Sequence, residues 1–432
     1  MFAQLLSKIK NKKFQVGIIG LGYVGLPLAI RFLNAKINVI GFETDSDKNN
    51  LIQNGICYIE NKKFKNDKYF RAFRKNVTSD YSKLSSVDII IVCLPTPLTK
   101  SNKPDISILK KCANKISRYL KENQMFILES TVYPGATIEI YKILNKYKKY
   151  KLGYNFFLSF SPERENPGDK LFSYKYTPKV VSGYSPICLK IAFNIYKLIA
   201  RKVFLAKSIN VAEMSKLLEN TFRSVNIGLV NEFKIISNKL KINIWDVIEA
   251  AKTKNFGFRA FHPGPGVGGH CIPIDPLYLS WILEKKNINT NLIKTSSKLN
   301  SSMPDWVTKK LFAYLKKNKN KSNKITVFGL SYKKNTKDMR GSPAMEIIKK
   351  LIKKKYRIKF YDPLIKKVNY ENKYFSKNSI SLKSAYNLKK DITIIATDHS
   401  NINYKKIFKT SKIIFDTRGV YKKYVSDKLV FL

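Results

Sequence analysis

The chain has 432 residues, which is long enough for two or three domains with substantial cores. Its hydrophobic content of 44% is typical of a globular protein, and no apolar run approaches the ~18 residues of a membrane-spanning helix, so we predict no membrane partner. The formal net charge of +51 is compatible with nucleic-acid binding, but the lysines are spread along the whole chain, and we interpret them as solvated surface rather than as a nucleic-acid site.

The cysteines give no sign of disulfides or metal. The five of them form no CxxC pair and have no Cys/His spacing suited to zinc, so we predict no metal site. The apolar run at residues 2–6 is too short for the core of a signal peptide. We therefore expect free thiols and a cytoplasmic location.

The first part of the chain alternates apolar runs with helical patterns. Residues 14–19 predict a buried parallel strand, and a helical pattern follows from residue 26 to about residue 34. Further strands are predicted at residues 37–42, 87–94, 125–129 and 155–161. Each run ends in polar or turn residues. This alternation predicts a doubly wound α/β domain whose ligands bind where the strands end.

A glycine motif separates the first strand from the first helix. Its residues are Gly20, Leu21, Gly22, Tyr23, Val24 and Gly25. The three glycines permit a tight turn, close approach of a pyrophosphate and close packing of helix on strand, while the helix N-terminus attracts phosphate. Glu43 follows at about the 20-residue distance where an acidic side chain binds both ribose hydroxyls. The motif predicts NAD rather than NADP, because a carboxylate repels a 2′-phosphate; the alternative is a glycine turn without a ligand.

The middle of the chain is helical by pattern. Residues 211–251 keep helical spacing with few breakers, which predicts a long helix between two domains, with an exposed face suited to a dimer surface. Lys216 and Asn220 lie four positions apart and share one helix face. An ammonium and an amide that project together can stabilise a developing oxyanion. The alternative is an ordinary solvated lysine.

A loop rich in glycine and proline, at residues 263–276, contains Cys271. Glycine lets backbone approach a ligand and proline fixes the chain, so the loop can present a thiol to a substrate. As a thiolate, Cys271 can attack an aldehyde carbon; otherwise it is a small core residue. Asp275 either orients the loop, helps to activate water or caps the loop. His270 either tunes the thiol, fills space or binds a backbone group.

Glu163 lies just past a predicted strand, in the sequence Ser-Pro-Glu-Arg. There it can act as a base for water, cap the strand end or form a salt bridge. After a basic polar linker at residues 316–324, the α/β pattern restarts, with strands predicted at residues 325–330, 358–361, 392–397 and 413–416. The predicted fold is therefore α/β: two Rossmann-like doubly wound parallel-sheet domains joined by a central helical region.

Together these motifs resemble the UDP-glucose/GDP-mannose dehydrogenase family over nearly the whole chain. The matching stretches are residues 20–27, 94–97, 129–132, 161–164, 212–220, 268–271 with Asp275, 328–333, 338–340, 361–363 and 416–419. The resemblance implies a four-electron oxidation of a sugar C6 alcohol to a carboxylate, with two NAD+ and one water. It also implies an NAD-binding domain at 1–208, a central dimerisation and catalytic-loop domain at 209–318 and a UDP-sugar-binding domain at 319–432, in a homodimer or higher homo-oligomer.

The resemblance also assigns catalytic roles. Cys271 is the implied nucleophile, which captures the aldehyde as a thiohemiacetal that is then oxidised to a thioester. Lys216 and Asn220 hold the C6 oxygen as it gains charge. Glu163 assists deacylation, and Asp275 supports the cysteine site.

Further residues receive implied roles in the same way. Thr131 completes the catalytic set by positioning water. The implied cofactor contacts are Gly20, Gly22, Tyr23, Val24, Gly25, Glu43, Pro95, Thr96, Thr131 and Arg340. The implied substrate contacts are Glu163, Arg164, Lys216, Asn220, Arg259, Gly268, Lys333 and Arg418, with Arg259 reaching a neighbouring subunit.

The loop around Cys271 is similar to that of the UDP-N-acetylhexosamine 6-dehydrogenases, and most of all to the UDP-N-acetylglucosamine branch. His270 and Ile274 stand where UDP-glucose dehydrogenases more often have another residue and a lysine. The implied product is a uronic acid for surface polysaccharide synthesis. The open alternatives are the galacto and manno epimers, UDP-glucose, a two-electron dehydrogenase of the 6-phosphogluconate or hydroxy-acid type, and a basic binding protein without catalysis.

Overall fold

The computed structural model describes residues 2–59, 67–99, 101–164, 177–320, 322–388 and 391–432. The chain divides into two units, Met1–Glu219 and Asn220–Leu432, and the division falls within one long helix. Within the described ranges, no helix has both the length and the apolar character needed to span a membrane.

In its described residues, the first unit contains six strands in one sheet and two in another. The strands are β1 Gln15–Ile19, β2 Asn38–Phe42, β3 Val77–Thr78, β4 Ile89–Val92, β5 Gln124–Leu128, β6 Phe156–Phe160, β7 Lys179–Val181 and β8 Val203–Leu205. The helices are α1 Phe2–Lys10, α2 Gly25–Asn34, α3 Ser46–Gln53, α4 Lys68–Phe73, α5 Ser107–Ile116, α6 Ala136–Leu144, α7 Pro186–Lys197 and the start of α8 Ile209–Leu240. Short 3-10 helices occupy Arg74–Asn76 and Tyr81–Ser86.

The large sheet is parallel, with strand order β3-β2-β1-β4-β5-β6. Strand β1 pairs with β2 on one side and with β4 on the other, so the strand order reverses beside it. Strands β4, β5 and β6 are buried along their whole length, which explains their nearly continuous apolar sequences. Ligands of such sheets bind at the carboxyl ends of the strands beside this reversal, so the site of this unit is expected there.

The second unit holds the rest of α8 and a second parallel sheet. Its strands are β9 Lys324–Phe328, β10 Arg357–Tyr361, β11 Ile392–Ile395, β12 Ile413–Asp416 and β13 Leu429–Phe431, in the order β10-β9-β11-β12-β13. Its further helices are α9 Ile244–Ala251, α10 Asp275–Glu284, α11 Asn291–Lys317, α12 Pro343–Lys353, α13 Leu382–Ala385 and α14 Tyr404–Thr410. The strand order reverses between β9 and β11, which places a second ligand edge at the ends of those strands.

Two doubly wound sheets were predicted and are confirmed, while the helical region differs from its prediction. Residues 211–251 form two helices rather than one, because Lys241 has a φ of +58° and ends α8. The next helix, α9, begins after Asn243, whose side chain accepts a hydrogen bond from the Trp245 N–H at 3.0 Å. The basic linker is also shorter than predicted, since α11 continues to Lys317.

Candidate active site

The glycine turn after β1 is shaped by steric demands. Gly20 has a φ of +86°, and a Cβ atom on it would lie 2.9 Å from the carbonyl oxygen of Cys93. A Cβ atom on Gly25 would lie only 2.0 Å from the carbonyl oxygen of Gly20, so no side chain fits there. A Cβ atom on Gly22, in contrast, would meet no described atom within 4 Å. The turn is therefore packed against the protein at Gly20 and Gly25 and open to a ligand at Gly22.

Glu43 closes the other side of this turn. Its side chain is largely buried, and its two oxygens accept hydrogen bonds from the N–H groups of Leu21 at 3.1 Å and Asp45 at 3.0 Å. Each carboxylate oxygen can accept a second bond, which leaves one position per oxygen for a ribose hydroxyl. Helix α2 begins at Gly25, and its N-cap residue Val24 makes no side-chain cap, so the first N–H groups of the helix can serve a phosphate. These residues fit a dinucleotide whose ribose lacks a 2′-phosphate.

Sequence reasoning missed one residue beside this turn, namely Tyr58. Its hydroxyl donates a hydrogen bond to the Leu21 carbonyl oxygen. Burial, together with the nearby Glu43 carboxylate, raises the pKa of Tyr58. The tyrosine therefore remains a neutral donor that fixes the turn. No spacing rule in the sequence links a tyrosine at this position to the glycine motif.

The loops that follow β4 and β5 meet at the same edge. The hydroxyl of Thr96 donates to the carbonyl oxygen of Thr131 at 2.7 Å. Pro95 precedes Thr96 and is exposed. The structure thus joins Thr96 to Thr131, both of which were predicted to serve the cofactor.

The segment after β6 is held by helix α8. The Lys216 ammonium donates to the carbonyl oxygen of Glu163 at 2.6 Å. One turn further along α8, Glu219 pairs with the Arg164 guanidinium at 2.7 Å. Arg164 also donates to the carbonyl oxygen of Pro178 at 3.0 Å. Lys216, Glu163 and Arg164 are therefore neighbours, as expected for a common site.

A buried ionic cluster lies directly behind Glu163. The Lys179 ammonium is 3.0 Å from a carboxylate oxygen of Glu163 and 3.0 Å from one of Glu129, and only 3% of the lysine side chain is exposed. The Tyr196 hydroxyl donates to the other oxygen of Glu129. Sequence reasoning gave no role to Lys179, Glu129 or Tyr196.

Helix α8 is anchored by another buried carboxylate, which also escaped prediction. Glu213 accepts hydrogen bonds from the Gly135 N–H at 2.7 Å, the Thr137 N–H at 3.0 Å and the Thr137 hydroxyl at 2.6 Å. It thereby caps the N-terminus of α6. Burial raises the pKa of Glu213 despite these donors. Because Glu213 precedes Lys216 by less than one turn, the cap fixes where Lys216 projects.

In the second unit, Cys271 lies in the turn that leads into helix α10, which begins at Asp275, and is half-buried. Its carbonyl oxygen accepts hydrogen bonds from the N–H groups of Ile274 at 3.0 Å and Asp275 at 2.8 Å, which form the turn leading into the helix. The Asp275 carboxylate is buried and accepts a hydrogen bond from the Asn220 amide. The structure therefore brings Asn220 and Asp275 together, as predicted for members of one site.

The loop before Cys271 packs against the ligand edge of the second sheet. Gly269 has a φ of +87°, and its N–H donates to the carbonyl oxygen of Arg340 at 2.8 Å. A Cβ atom on Gly268 would lie 2.6 Å from both the Gly341 carbonyl oxygen and the Tyr332 Cβ atom. These close approaches leave no space for a side chain at Gly268.

Four cations of this unit were predicted to bind ligands: Lys333, Arg418 and Arg259 the substrate, and Arg340 the cofactor. Lys333 follows β9, and Arg418 follows β12 with its Nε donating to the Ala396 carbonyl oxygen at 2.8 Å. Arg340 is half-exposed and pairs with Asp338, its Nε lying 2.9 Å from Oδ1. Arg259 lies in an exposed segment, with its guanidinium 6.0 Å from the centre of the Phe261 ring.

One buried lysine beside Arg418 was not predicted. Lys234 of α8 is 3% exposed, and its ammonium lies 3.4 Å from the Thr417 carbonyl oxygen and 5.8 Å from the centre of the Trp306 ring. Burial lowers the pKa of Lys234 to about 7; the Asp416 carboxylate opposes this shift and the Arg418 guanidinium adds to it. Helical periodicity alone does not show that this lysine points inward.

The sequence matches three domain profiles of one family: the NAD binding domain at residues 14–200, the central domain at 210–302 and the UDP binding domain at 326–423. The chain belongs to the UDP-glucose/GDP-mannose dehydrogenase family. It is thus an NAD-dependent nucleotide-sugar dehydrogenase, and the predicted enzyme class and cofactor are confirmed.

Several relatives align with this chain over nearly the full length of both sequences. Protein CapL of Staphylococcus aureus is 34% identical over 96% of this chain and 97% of its own. The UDP-N-acetyl-D-glucosamine 6-dehydrogenase of Pseudomonas aeruginosa is 32% identical over 96% of this chain and 99% of its own. The solved UDP-D-ManNAc dehydrogenase of Pyrococcus horikoshii is 30% identical, with a TM-score of 0.84, over 96% of this chain and 97% of its own.

The matched family domains enclose the residue groups described above for each unit. The glycine turn and Glu43 fall within the NAD binding domain, and Lys333 and Arg418 fall within the UDP binding domain. In the part of the chain that the structure describes, no group of three or more His, Cys, Asp or Glu side chains is arranged to hold a metal ion. The roles of the individual site residues remain predictions.

Proposed function

We propose that this chain oxidises the C6 alcohol of a UDP-N-acetylhexosamine to the uronic acid. Each sugar alcohol and one water yield a carboxylate, two NADH and three protons from two NAD+. The observation that carries the proposal is the setting of Cys271: a half-buried thiol on a glycine loop, in the turn that leads into helix α10, close in sequence to a buried Asp275–Asn220 pair. A two-electron dehydrogenase has no use for such a thiol.

The cofactor site is formed by the glycine turn and Glu43. Gly22 leaves room for the pyrophosphate, and the free oxygen positions of Glu43 accept the ribose hydroxyls. Bound NAD+ supplies a hydride acceptor, twice for each sugar. Thr96 and Thr131 line the neighbouring strand ends, and Arg340 is the remaining proposed cofactor contact.

Side chains of the protein then stabilise the charge on the C6 oxygen, form the covalent bond to the C6 carbon and transfer protons. Lys216, oriented by the Glu163 carbonyl oxygen, and Asn220 donate to the C6 oxygen while it carries negative charge. The Cys271 thiolate adds to the aldehyde carbon, the C=O π pair moves to oxygen, and the oxygen is protonated to give a thiohemiacetal. This covalent bond retains the half-oxidised sugar until the second oxidation gives a thioester.

Hydrolysis completes the cycle. Glu163 takes a proton from a water positioned by Thr131, and the water oxygen attacks the thioester carbon. The C–S bond breaks and the sulfur leaves as a thiolate. Asp275, buried and paired with Asn220, keeps the cysteine loop in position.

The remaining predicted contacts belong to substrate binding. Lys333 and Arg418 lie at the ligand edge of the second sheet and are suited to the nucleotide and its diphosphate. Arg164, Gly268 and Arg259 are proposed to contact the sugar, Arg259 from a neighbouring subunit. The proposed functional division is 1–208 for NAD, 209–318 for catalysis and dimerisation, and 319–432 for the UDP-sugar; the order of the three matched family domains supports this proposal.

The proposed sugar is UDP-N-acetylglucosamine, on the basis of the loop around Cys271 and of the Pseudomonas aeruginosa relative. UDP-N-acetylmannosamine is the second candidate, because several relatives at 30–33% identity are named UDP-N-acetyl-D-mannosamine dehydrogenases. Either product would be a precursor of a surface polysaccharide.

A panel assay tests the proposal. NADH release is measured with UDP-N-acetylglucosamine, its galacto and manno epimers and UDP-glucose, and NADH is counted per sugar consumed. Two NADH per sugar support the four-electron reaction, whereas one indicates the two-electron alternative. Cys271→Ser should bind NAD+ normally and form no acid. Full acid formation by this variant would remove Cys271 from the mechanism.

We further propose a homodimer formed through α8 and a cytoplasmic location. The supporting surface is an exposed apolar stripe, consisting of Phe222, Leu229, Phe233, Ile236 and Leu240. Such a stripe on a helix is typical of an interface. The five cysteines are all free thiols, as expected in a reducing compartment. Light scattering of the wild type and of Phe233→Glu tests the dimer, which the added charge should dissociate.

A further inference from the structure

Lys179 has no role in the reaction proposed above, but it connects Glu163, the proposed base, to the protein interior. Lys179 begins strand β7, and its ammonium lies 3.0 Å from Glu163 and 3.0 Å from Glu129. The Glu129 side chain has no exposed area, and that of Glu163 is 12% exposed. The ammonium also donates to the carbonyl oxygen of Pro162 at 3.3 Å. The cluster thus reaches from the core to the rim of the proposed site.

The charges around Glu163 favour its ionised form. The positive groups that act on it are Lys179, Arg31 of α2 and Lys216 of α8. Burial by itself would raise the pKa of Glu163, but the Lys179 ammonium, followed by Arg31, lowers it below the usual value. Glu129 shows the opposite outcome: burial raises its pKa, against the effect of Lys179.

Two further titratable groups border the cluster. The Tyr196 hydroxyl donates to Glu129, and the centre of its ring lies 5.2 Å from the Lys179 ammonium. The Cys93 thiol faces the cluster from the end of β4, and burial, together with Glu129, raises its pKa. Cys93 is therefore a neutral neighbour, and the ionic balance is set by the carboxylates and ammonium groups.

We propose that Lys179 is a positioning residue for the hydrolytic step: its ammonium fixes the Glu163 carboxylate and favours the ionised form, while Glu129 and Tyr196 anchor the ammonium from behind. The inference rests on the proposed function, in which Glu163 takes a proton from water. A carboxylate that is held ionised can accept that proton at neutral pH.

The arrangement also keeps Lys216 available. Lys216 donates to the carbonyl oxygen of Glu163 rather than to its carboxylate. The direct ion pair of the Glu163 carboxylate is formed with Lys179, at 3.0 Å, and does not engage the Lys216 ammonium. Lys179 thus separates two roles: one ammonium neutralises the base, and the other serves the substrate.

The test uses variants that keep the buried charge balanced. Lys179→Met alone would leave the Glu129 carboxylate buried without its partner, which is strongly destabilising. The double variant Lys179→Met/Glu129→Gln removes both charges and isolates the loss of the ammonium from Glu163. Glu129→Gln alone is the matched control, because it removes a like charge and leaves Lys179 to Glu163.

Three readouts are taken with the substrate identified by the panel assay: the first-turnover burst of NADH, the intact mass of the protein, and the pH profile of turnover. In the double variant, the burst should persist and an acyl adduct on Cys271 should accumulate. Turnover should fall at acidic pH and recover at higher pH, because a higher pKa of Glu163 reduces its ionised fraction at acidic pH. Glu129→Gln should instead move the acidic limb to lower pH.

Several results would overturn the inference. One is an acidic limb of the double variant that coincides with that of the wild type. A second is an equal loss of turnover at every pH without an adduct, which indicates a purely structural lysine. A third is an upward shift of the limb in Glu129→Gln, which applies even if the double variant does not fold. Failure of the proposed function itself would give a different result: the wild-type protein would release no NADH.

Discussion

The buried Lys234 predicts a specific dependence of stability on pH. Its pKa is lowered from 10.5 to about 7, so the folded protein loses the proton near pH 7 while the unfolded chain keeps it up to about pH 10.5. Between these values the unfolded state binds more protons, and stability therefore rises with pH. At about 1.4 kcal/mol per pKa unit, the charged form costs about 5 kcal/mol below pH 7, of which about 2 kcal/mol is recovered between pH 7 and pH 9.

Lys234→Met removes the ammonium and keeps an unbranched apolar chain against Trp306. The variant should be more stable than the wild type at pH 6–7, and the difference in unfolding free energy should shrink by about 2 kcal/mol between pH 7 and pH 9. Urea unfolding followed by tryptophan fluorescence is a suitable assay, because Trp245, Trp281 and Trp306 are the only tryptophans and all lie in the unit Asn220–Leu432.

A matched control uses the same aromatic ring. The Lys310 ammonium lies 5.9 Å from the centre of the Trp306 ring, but Lys310 is only half-buried. Lys310→Met should therefore keep the wild-type pH dependence. If the curves of wild type and Lys234→Met run parallel from pH 6 to pH 9, the Lys234 ammonium is not shielded from water and the reasoning is refuted.

Three further predictions concern the cofactor and the cysteine loop. Gly25→Ala should lower the melting temperature and reduce NAD+ affinity at least about tenfold, because its Cβ atom would lie 2.0 Å from the Gly20 carbonyl oxygen. Gly22→Ala should fold normally and lose only NAD+ affinity. Calorimetry measures the melting temperatures of both variants, and equal values would contradict this reasoning. Glu43→Ala should weaken NAD+ binding and reduce the preference over NADP+, measured as the ratio of kcat/KM values, and an unchanged ratio would exclude Glu43 from the ribose site. Asn220→Ala should destabilise the protein by about 1–3 kcal/mol, since it leaves the buried Asp275 carboxylate without this donor, and the cost should be smaller in an Asp275→Ala background if the two side chains are coupled.

Much of the fold could be predicted from the sequence because buried parallel strands have a strong local signature. The apolar runs at residues 14–19 and 413–416 coincide with β1 and β12 within one residue. Strand β3, with two residues, and β7 and β8, with three each, are too short for a periodic signal. The end of α8 was missed because Lys241 adopts its positive φ without a glycine or proline to announce it.

The sequence predicted site residues only where their role is indicated by neighbouring residues in the chain. The glycine motif carries its own strand and helix, and Cys271 stands out from its glycine-rich surroundings. Lys179, Glu129 and Lys234 gave no comparable signal, because each acts through partners that only the tertiary structure supplies. A lysine in a chain with 81 basic residues is read as solvated until its burial is known.

The contact of Gly268 with Tyr332 and Gly341 has a consequence for engineering. A chimera that exchanged the last domain with that of a relative at residues 318–324 would separate the thiol-bearing loop from the backbone that shapes it. A graft intended to change sugar preference must therefore transfer residues 264–275 together with residues 329–343. Recombinants that carry only one of these segments should assemble a misaligned nucleophile, however well each part folds alone.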